Sequence, residues 1–271
     1  MADERAETNR EMWDELASIH PETDFYDVNG FLAGESTLHE PERDHLGDVA
    51  GESLVHLQCH IGLDTLSWAR EGADAVGVDF APEAIAAARD IADEAAVDAE
   101  FVCCSVDEAP ETLDREFDVV FTSYGALVWL PDIEAWARTV AALLRPGGRL
   151  CLAEFHPVTD VFDVAFEPER SYFDGGARRF EGTGSYADPD ADTDHNVSYE
   201  WTHGLGEVCT ALVNAGLSIE RVSEYPYTFF ERFEGMVRDD RGRYRIGDGR
   251  PEIPLVYAIS ANEPRRDRKQ R

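Results

Sequence analysis

The sequence predicts an α/β fold, doubly wound about a mostly parallel sheet, and three observations carry that expectation. Between residues 53 and 154, short apolar stretches alternate with amphipathic ones across brief polar connections. Helix punctuation is in place, with Pro82 opening one helical pattern and Arg145-Pro146-Gly147-Gly148 stopping another. No internal repeat competes with this rhythm. Strand–helix alternation with short loops builds βαβ units with right-handed crossovers. Ligands then bind at the carboxyl ends of the strands, where strand order reverses.

In chain order, residues 5–19 form a helix with Met12, Trp13, Leu16 and Ile19 on one face. Residues 21–51 read as mostly loop, anchored by Phe25, Tyr26 and Phe31. A strand at 53–59 leads to a helix at 63–71 that ends at Gly72, and a second strand follows at 75–79. The helix opened by Pro82 places Ile85, Ala88, Ala92 and Ala95 together. Strands follow at 100–104 and 117–122, then a helix at 133–144 with Ile133, Trp136, Val140 and Leu144 in helical spacing, then a strand at 149–154. Residues 157–200 break the rhythm: seven aromatics stand among these 44 residues, with Gly175, Gly176, Gly182 and Gly184 between them. Such a stretch reads as a pocket wall or lid, or as a surface excursion. A helix at 207–215, stopped by Gly216, and strands at 217–224 and 253–260 close the fold. The expected organisation is an N-terminal helix and cap (1–50), a core (51–156), an insertion or lid (157–200), closing elements (201–261) and a basic tail (262–271).

Composition narrows the function classes. The 271 residues suit one large α/β domain, and 43% hydrophobic residues make a globular chain. Against 56 acidic residues stand 24 basic ones, a formal net charge of −32, and the single lysine is Lys269. Acid spread along the whole chain suits a salt-rich cytoplasm, where screening removes self-repulsion. It disfavours nucleic acid, whose phosphates require Lys and Arg. The five cysteines, Cys59, Cys103, Cys104, Cys151 and Cys209, form no CxxC and read as reduced thiols. Residues 1–10 lack an apolar signal core, and no apolar run approaches the ~18 residues of a membrane span, so the expectation is a soluble cytoplasmic protein.

Several residues stand where chemistry is expected. The first strand runs into Gln58-Cys59-His60-Ile61-Gly62, a turn whose amides and following helix suit a ligand. Seventeen residues after Gly62 comes Asp79, at the second strand end, which reads as an acceptor for ribose hydroxyls or as a strand-end cap. Ser105-Val106-Asp107 at the third strand end suits an adenine edge, with Phe80 on its face, or is a polar turn. After the fourth strand, Ser123, Tyr124 and Trp129 line a site or belong to the core. His56 and His60 straddle a strand and a loop, so they are not a metal pair, and no metal is expected.

The order Leu54 to Gly62, Val78-Asp79-Phe80, Phe117-Asp118-Val119-Val120 and Leu144-Arg145-Pro146-Gly147-Gly148 resembles the successive motifs of class I S-adenosylmethionine-dependent methyltransferases. The resemblance is close over residues 50–155 and looser over 200–260. It implies a Rossmann-like sheet of seven strands with the last antiparallel, and S-adenosyl-L-methionine as cofactor. It also implies cofactor contacts at Gln58, Cys59, His60, Gly62, Asp79, Phe80, Ser105, Val106 and Ser123. The chain departs from the pattern at His56, where the family usually carries an acid, at Gln58 and His60, which replace two usual glycines, and at Ser105, which replaces a frequent acid.

The activity so implied is in-line methyl transfer to a small-molecule acceptor, in which holding nucleophile and methyl in line supplies much of the rate. Candidates for a base are Glu154 and His156 at the fifth strand end, His203 before the closing helix, and Tyr124. His203 also reads as a helix cap. The N-terminal helix and the insertion are expected to close over the acceptor, bringing Trp13, Tyr26, Tyr172 and Tyr186 near it. Two other readings share part of this logic: a nicotinamide-dependent oxidoreductase, which would need the absent G-x-G-x-x-G cradle, and a non-catalytic S-adenosylmethionine-binding protein. The oligomeric state is left open.

The charge of −32 generates a first prediction. Far-UV dichroism should show progressive loss of structure as molar salt is dialysed down to dilute buffer, because self-repulsion is then unscreened. An unchanged spectrum across that range would remove the inference of salt adaptation.

Overall fold

The computed structural model describes residues 4–247 and 249–264, and the basic run from Arg265 to Arg271 lies outside them. Seven strands form one sheet: β1 (Ser53–Leu57), β2 (Asp74–Asp79), β3 (Glu100–Cys103), β4 (Phe117–Thr122), β5 (Leu144–Phe155), β6 (Ser218–Tyr225) and β7 (Val256–Asn262). Their spatial order is 3-2-1-4-5-7-6. Neighbours from β3 to β5 run parallel, and β7 lies antiparallel to both β5 and β6. The expected seven-stranded Rossmann-like sheet with an antiparallel last strand is present. Strand order reverses between β1 and β4, which places the ligand crevice above that pair.

Side-chain alternation explains why helices cover both faces. Val55, Leu57, Val120, Leu150 and Leu152 face one layer, formed by α7 (Ile133–Leu143) and α8 (Leu205–Asn214). Leu54, Phe121 and Cys151 face the other, where they meet Trp68 of α4 (Leu63–Arg70) and Leu46 of α3 (Glu40–Leu46). Helix α5 (Pro82–Ala95) packs Ile85, Ala88 and Ala92 with Phe101 of β3. Phe101 sits tightly under two glycines: a Cβ added at Gly62 or Gly77 would come within 2.6 Å of its ring. That close approach seats the loop after β1 directly on β2 and β3.

The Arg145–Gly148 turn is absorbed into β5 as an irregularity. Phe117 pairs with Leu144 and Val119 with Arg149, so the four intervening residues loop out. Gly147 and Gly148 then exchange backbone hydrogen bonds with Glu263 beyond β7.

The region 21–51, expected as loop, contains α2 (Val28–Leu32) and α3. Asp27 caps α2 through the Gly30 amide, and Pro41 with the His39–Glu42 capping box starts α3. Short helices with five and seven residues lack a readable apolar period, which is why the sequence reads as loop. Phe31 is buried as expected, but Phe25 is exposed. His45 fastens α3 to the sheet, with Nδ1 2.7 Å from Ser260 Oγ and Nε2 2.9 Å from Ser223 Oγ.

The insertion holds an antiparallel ribbon, Arg178–Glu181 with Val197–Glu200. It is stitched to α1 (Glu4–Ile19) by buried Asn9, whose amide group exchanges two hydrogen bonds with the Tyr199 backbone, at 2.7 and 2.8 Å. Glu15 accepts the Asp194 and His195 amides at 2.8 and 2.7 Å. A second excursion, between β6 and β7, carries the ribbon Val237–Arg238 with Tyr244–Arg245. Its Phe233, Met236, Ile246 and Leu255 pack with Phe166 of the insertion. No helix among the described residues is long and apolar enough to cross a membrane.

Candidate active site

The loop after β1 is a strained turn. Gln58 and His60 take left-handed backbone conformations, at φ 58° and 50°, and Gly62 follows at 78°. For non-glycine residues this conformation costs about 1–2 kcal/mol each. Three bonds offset it. Cys59 donates its amide to Val78 O at 2.9 Å. His60 donates its amide to Asp79 Oδ2 at 2.9 Å, and Asp79 Oδ1 accepts the Ala81 amide at 3.0 Å. Burial pushes the Asp79 carboxyl up to about 6, although the Ala81, His60 and Phe80 amides favour its ionised form. Three amides leave the carboxylate with acceptor capacity still open to a ligand.

Side chains in this turn diverge. Cys59 points down into the core beside Gly77, so only its backbone belongs to the turn. Gln58 reaches across the crevice from β1 to the loop after β4, donating Nε2 to Ala126 O at 2.8 Å. Its Oε1 is buried without a protein donor. His56 bridges Thr65 Oγ1 at 2.9 Å and Ser123 Oγ at 3.1 Å, and burial depresses its imidazole to about 3, so it stays neutral. Asp64, in the first turn of α4, accepts from Thr37 Oγ1 at 2.6 Å; burial raises its carboxyl, while Thr37 and Ser123 hold it down.

Over the turn lies an aromatic cover. His60 Nε2 is 2.7 Å from Nδ1 of His20, whose Nε2 is 3.2 Å from Ser185 Oγ in the insertion. Desolvation depresses His20 to about 4 and His60 to about 3, so the pair is neutral and one ring donates to the other. Trp13 packs edge-on against His60, His20 and Trp129. Tyr26 stacks on His20 and shares a short hydroxyl contact with Tyr186. Trp13, Tyr26 and Tyr186 thus meet one another over the turn. Tyr172 does not: its hydroxyl accepts the Leu205 amide at 3.0 Å, at the start of α8.

Beyond β4 and β5 a second group assembles. Tyr124 donates its hydroxyl to Glu42 Oε2 of α3 at 2.6 Å, and Glu42 Oε1 accepts the His39 amide. Glu42 is fully buried, and burial with nearby Asp64 pushes its carboxyl up to about 7. Phe155, Phe229 and His39 surround the Tyr124 ring, and Phe230 meets Phe155. Glu42, Asp64, His20 and the Phe229–Phe230 pair were not legible in sequence, because no motif spacing links them to residues 58–62.

Three candidate bases have other duties. Buried Glu154 accepts four backbone amides: Gly125 and Phe155 on Oε1, the latter at 2.6 Å, and Ala126 and Leu127 on Oε2 at 2.8 and 3.1 Å. It clamps the loop after β4 and presents no free oxygen, with burial lifting its carboxyl to about 7 against those four bonds. His156 shares the sheet face of Glu154, opposite Phe155. Its Nδ1 accepts the Val158 amide at 3.1 Å, and Nε2 lies 2.9 Å from Glu224, so it caps the turn Pro157–Val161 away from the crevice. His203 Nε2 donates to Leu130 O at 2.7 Å, joining α8 to the loop after β4. Tyr124 alone among the four candidates borders the crevice group.

The third strand end also differs from expectation. Both the amide and hydroxyl of Ser105 donate to Glu108 Oε2, at 3.1 and 2.7 Å, so its polar groups are engaged locally. Val106 packs into the α7 layer, and Phe80 packs with Ala17, Ala81 and Ala84 against α1. No group of three or more metal-ligating side chains occurs among the described residues.

Residues 55–148 match the family described as Methyltransferase domain. A ubiquinone biosynthesis O-methyltransferase from Xanthomonas oryzae pv. oryzae is 34% identical over 118 residues, which are 44% of this chain and 49% of that protein. A counterpart from Aeromonas salmonicida is 31% identical over 110 residues, covering 41% and 46%. The chain thus spans under half of either relative's length. Among solved structures, an S-adenosylmethionine-dependent methyltransferase from Mesorhizobium loti superposes with TM-score 0.56 at 21% identity, covering 82% of this chain and 95% of that one. One from Listeria monocytogenes gives 0.58 at 15% identity, covering 82% and 94%. At such identities the agreement is one of fold, and at 82% coverage it extends beyond the matched segment.

The Glu154 clamp generates the second prediction. Glu154→Gln turns an NH2 group toward two of the four amides, leaving buried donors facing a donor at a cost of about 2–4 kcal/mol. Thermal melts should show the midpoint falling by roughly 5–15 °C, at ~2–4 °C per kcal/mol for a chain this size. A midpoint within a degree of the parent would show that the loop is held by other contacts.

Proposed function

We propose that this chain transfers a methyl group from S-adenosyl-L-methionine to a small-molecule acceptor. The observation that carries this reading is the turn at 58–62, seated at the reversal of strand order and bonded to Asp79 at the end of β2. The methyltransferase-domain match over 55–148 and the O-methyltransferase relatives support it.

The residues present fit the cofactor. Gln58 Oε1 is a buried acceptor without a protein donor, complementary to the ammonium of the methionine moiety. Asp79 retains acceptor capacity for a ribose hydroxyl, and the start of α4 offers backbone amides near the turn. Bound there, S-adenosylmethionine supplies a methyl group already activated by its sulfonium. The chain's task is then to orient the acceptor and exclude water. The Trp13–His20–Tyr26–Tyr186 cover contributes the exclusion, and the wall around Tyr124 receives the acceptor. A salt-rich cytoplasm as the working environment accords with the charge of −32.

Calorimetric titration at molar salt tests this. S-adenosylmethionine and S-adenosylhomocysteine should bind, and NAD(P)H should not. Asp79→Ala should weaken S-adenosylhomocysteine binding by roughly 10-fold to several hundred-fold, through loss of charge-assisted ribose contacts. Gln58→Leu should weaken it by about 10-fold through loss of the ammonium acceptor. Binding of the nicotinamide alone, or parental affinity in a folded Asp79→Ala variant, would overturn the placement.

A further inference from the structure

We propose that Tyr124 and Glu42 form a proton relay that takes the hydroxyl proton of a planar aromatic acceptor seated against His39, Phe155, Phe229 and Phe230. This rests on the methyl-transfer reading and names the acceptor class for the same site.

Geometry carries the inference. Tyr124 follows Ser123, which contacts His56 above β1, so the relay begins one residue from the cofactor crevice. Its hydroxyl is 2.6 Å from a carboxylate that has no solvent contact. A buried carboxylate is expensive unless paired with a cation, and among the described residues no cation pairs with Glu42. The groups acting on it are neutral donors or acids: Tyr124 on the loop after β4, the His39 and Glu42 amides at the start of α3, and Asp64 on α4, while the Cys151 thiol of β5 donates to the Glu42 backbone carbonyl. A carboxylate kept close to neutral pH by such surroundings is suited to accept a proton, whereas one serving only as a tether gains nothing from it.

The acceptor class follows from the wall. Four half-buried aromatic rings arrive from separate segments, the loop before α3, the end of β5 and the excursion after β6. His39 and Phe229 are stacked face to face at 3.5 Å and 4°, while Phe229 meets Tyr124 edge-on at 5.1 Å. Desolvation holds the His39 imidazole near 4, so the wall is uncharged. Flat, neutral surfaces of this kind favour a planar ring.

The step balances. The acceptor oxygen forms the new O–CH3 bond as the sulfonium C–S bond breaks, and the sulfur retains that electron pair and becomes neutral. The acceptor proton passes to Tyr124 Oη while the Tyr124 proton passes to Glu42, which ends as the neutral acid. Tyr124 itself never needs to ionise, and burial beside Glu42 keeps its hydroxyl well above the usual phenol range.

The test uses the full chain with S-adenosylmethionine and a panel of phenol, catechol, hydroquinone and 4-hydroxybenzoate, reading S-adenosylhomocysteine formed. The parent should turn over at least one probe, with kcat/KM falling about tenfold per pH unit below about 7 as Glu42 becomes protonated. Glu42→Gln, which keeps a hydrogen-bond acceptor for Tyr124, should lower kcat/KM by about 100- to 10,000-fold and remove that acidic limb. Tyr124→Phe should do the same, and S-adenosylhomocysteine affinity should stay within about threefold in both. Parental rates and an unchanged limb in either folded variant would overturn the relay. A parent that binds S-adenosylmethionine yet methylates none of the probes would overturn the acceptor class. Failure to bind S-adenosylmethionine at all would instead remove the reading on which this rests.

Discussion

The bond from the His60 amide to the Asp79 carboxylate joins the first loop of the sheet to its second strand, and the rest of the site is built from that junction. It holds a turn in which two non-glycine residues adopt left-handed backbone. Held there, Gln58 spans the strand-order reversal to the loop after β4, and His60 turns upward to meet the N-terminal segment. Phe101 braces the junction from below, occupying the space that side chains at positions 62 and 77 would need. Non-glycine strain of this kind persists only where surrounding contacts over-determine it, and such places cluster at functional sites.

From the turn, two polar routes lead outward. One runs His60–His20–Ser185, linking the strand loop, the N-terminal segment and the insertion through neutral groups. The other runs His56–Ser123, and from the next residue, Tyr124, to Glu42 on α3. Glu154 keeps the loop between them in place by gathering four amides, a role that requires burial and leaves no oxygen for chemistry. The cover is made of segments outside the sheet and is fastened by the Asn9–Tyr199 bonds, whereas the aromatic wall joins such segments to Phe155 at the end of β5. Three carboxylates therefore divide their work: Asp79 at the turn, Glu154 in the scaffold, and Glu42, from α3, behind the aromatic wall at Tyr124.

The sheet was legible because its strands are short apolar runs bounded by turn residues, and because Gly72, Pro82 and Pro146 mark element ends on local grounds. Asp79 was legible for the same reason, since a strand-end acid has a fixed relation to the preceding turn. His156 and Glu154 misled because sequence shows that a residue lies at a strand end but not which sheet face it takes; one position of alternation sends Phe155 to the side of Tyr124 and its two neighbours away. Glu42 and His20 were invisible because their roles arise from contacts across 82 and 40 residues of chain. The excursion between β6 and β7 reads in sequence as part of the closing core because Phe229, Phe230 and Phe233 lack a period that separates wall from core.

Everything proposed for this chain depends on ligand recognition at the turn 58–62 with Asp79 and the loop after β4. The direct measurement is a titration of 15N-labelled protein with S-adenosylhomocysteine, following backbone amide shifts in molar salt. The largest perturbations are expected at Gln58 to Gly62, Asp79 to Ala81 and Ser123 to Ala126, with smaller ones at His20 and Ser185. Perturbations confined to the opposite edge of the sheet, around Ala69 to Asp74 and Ala96 to Asp98, would contradict that placement.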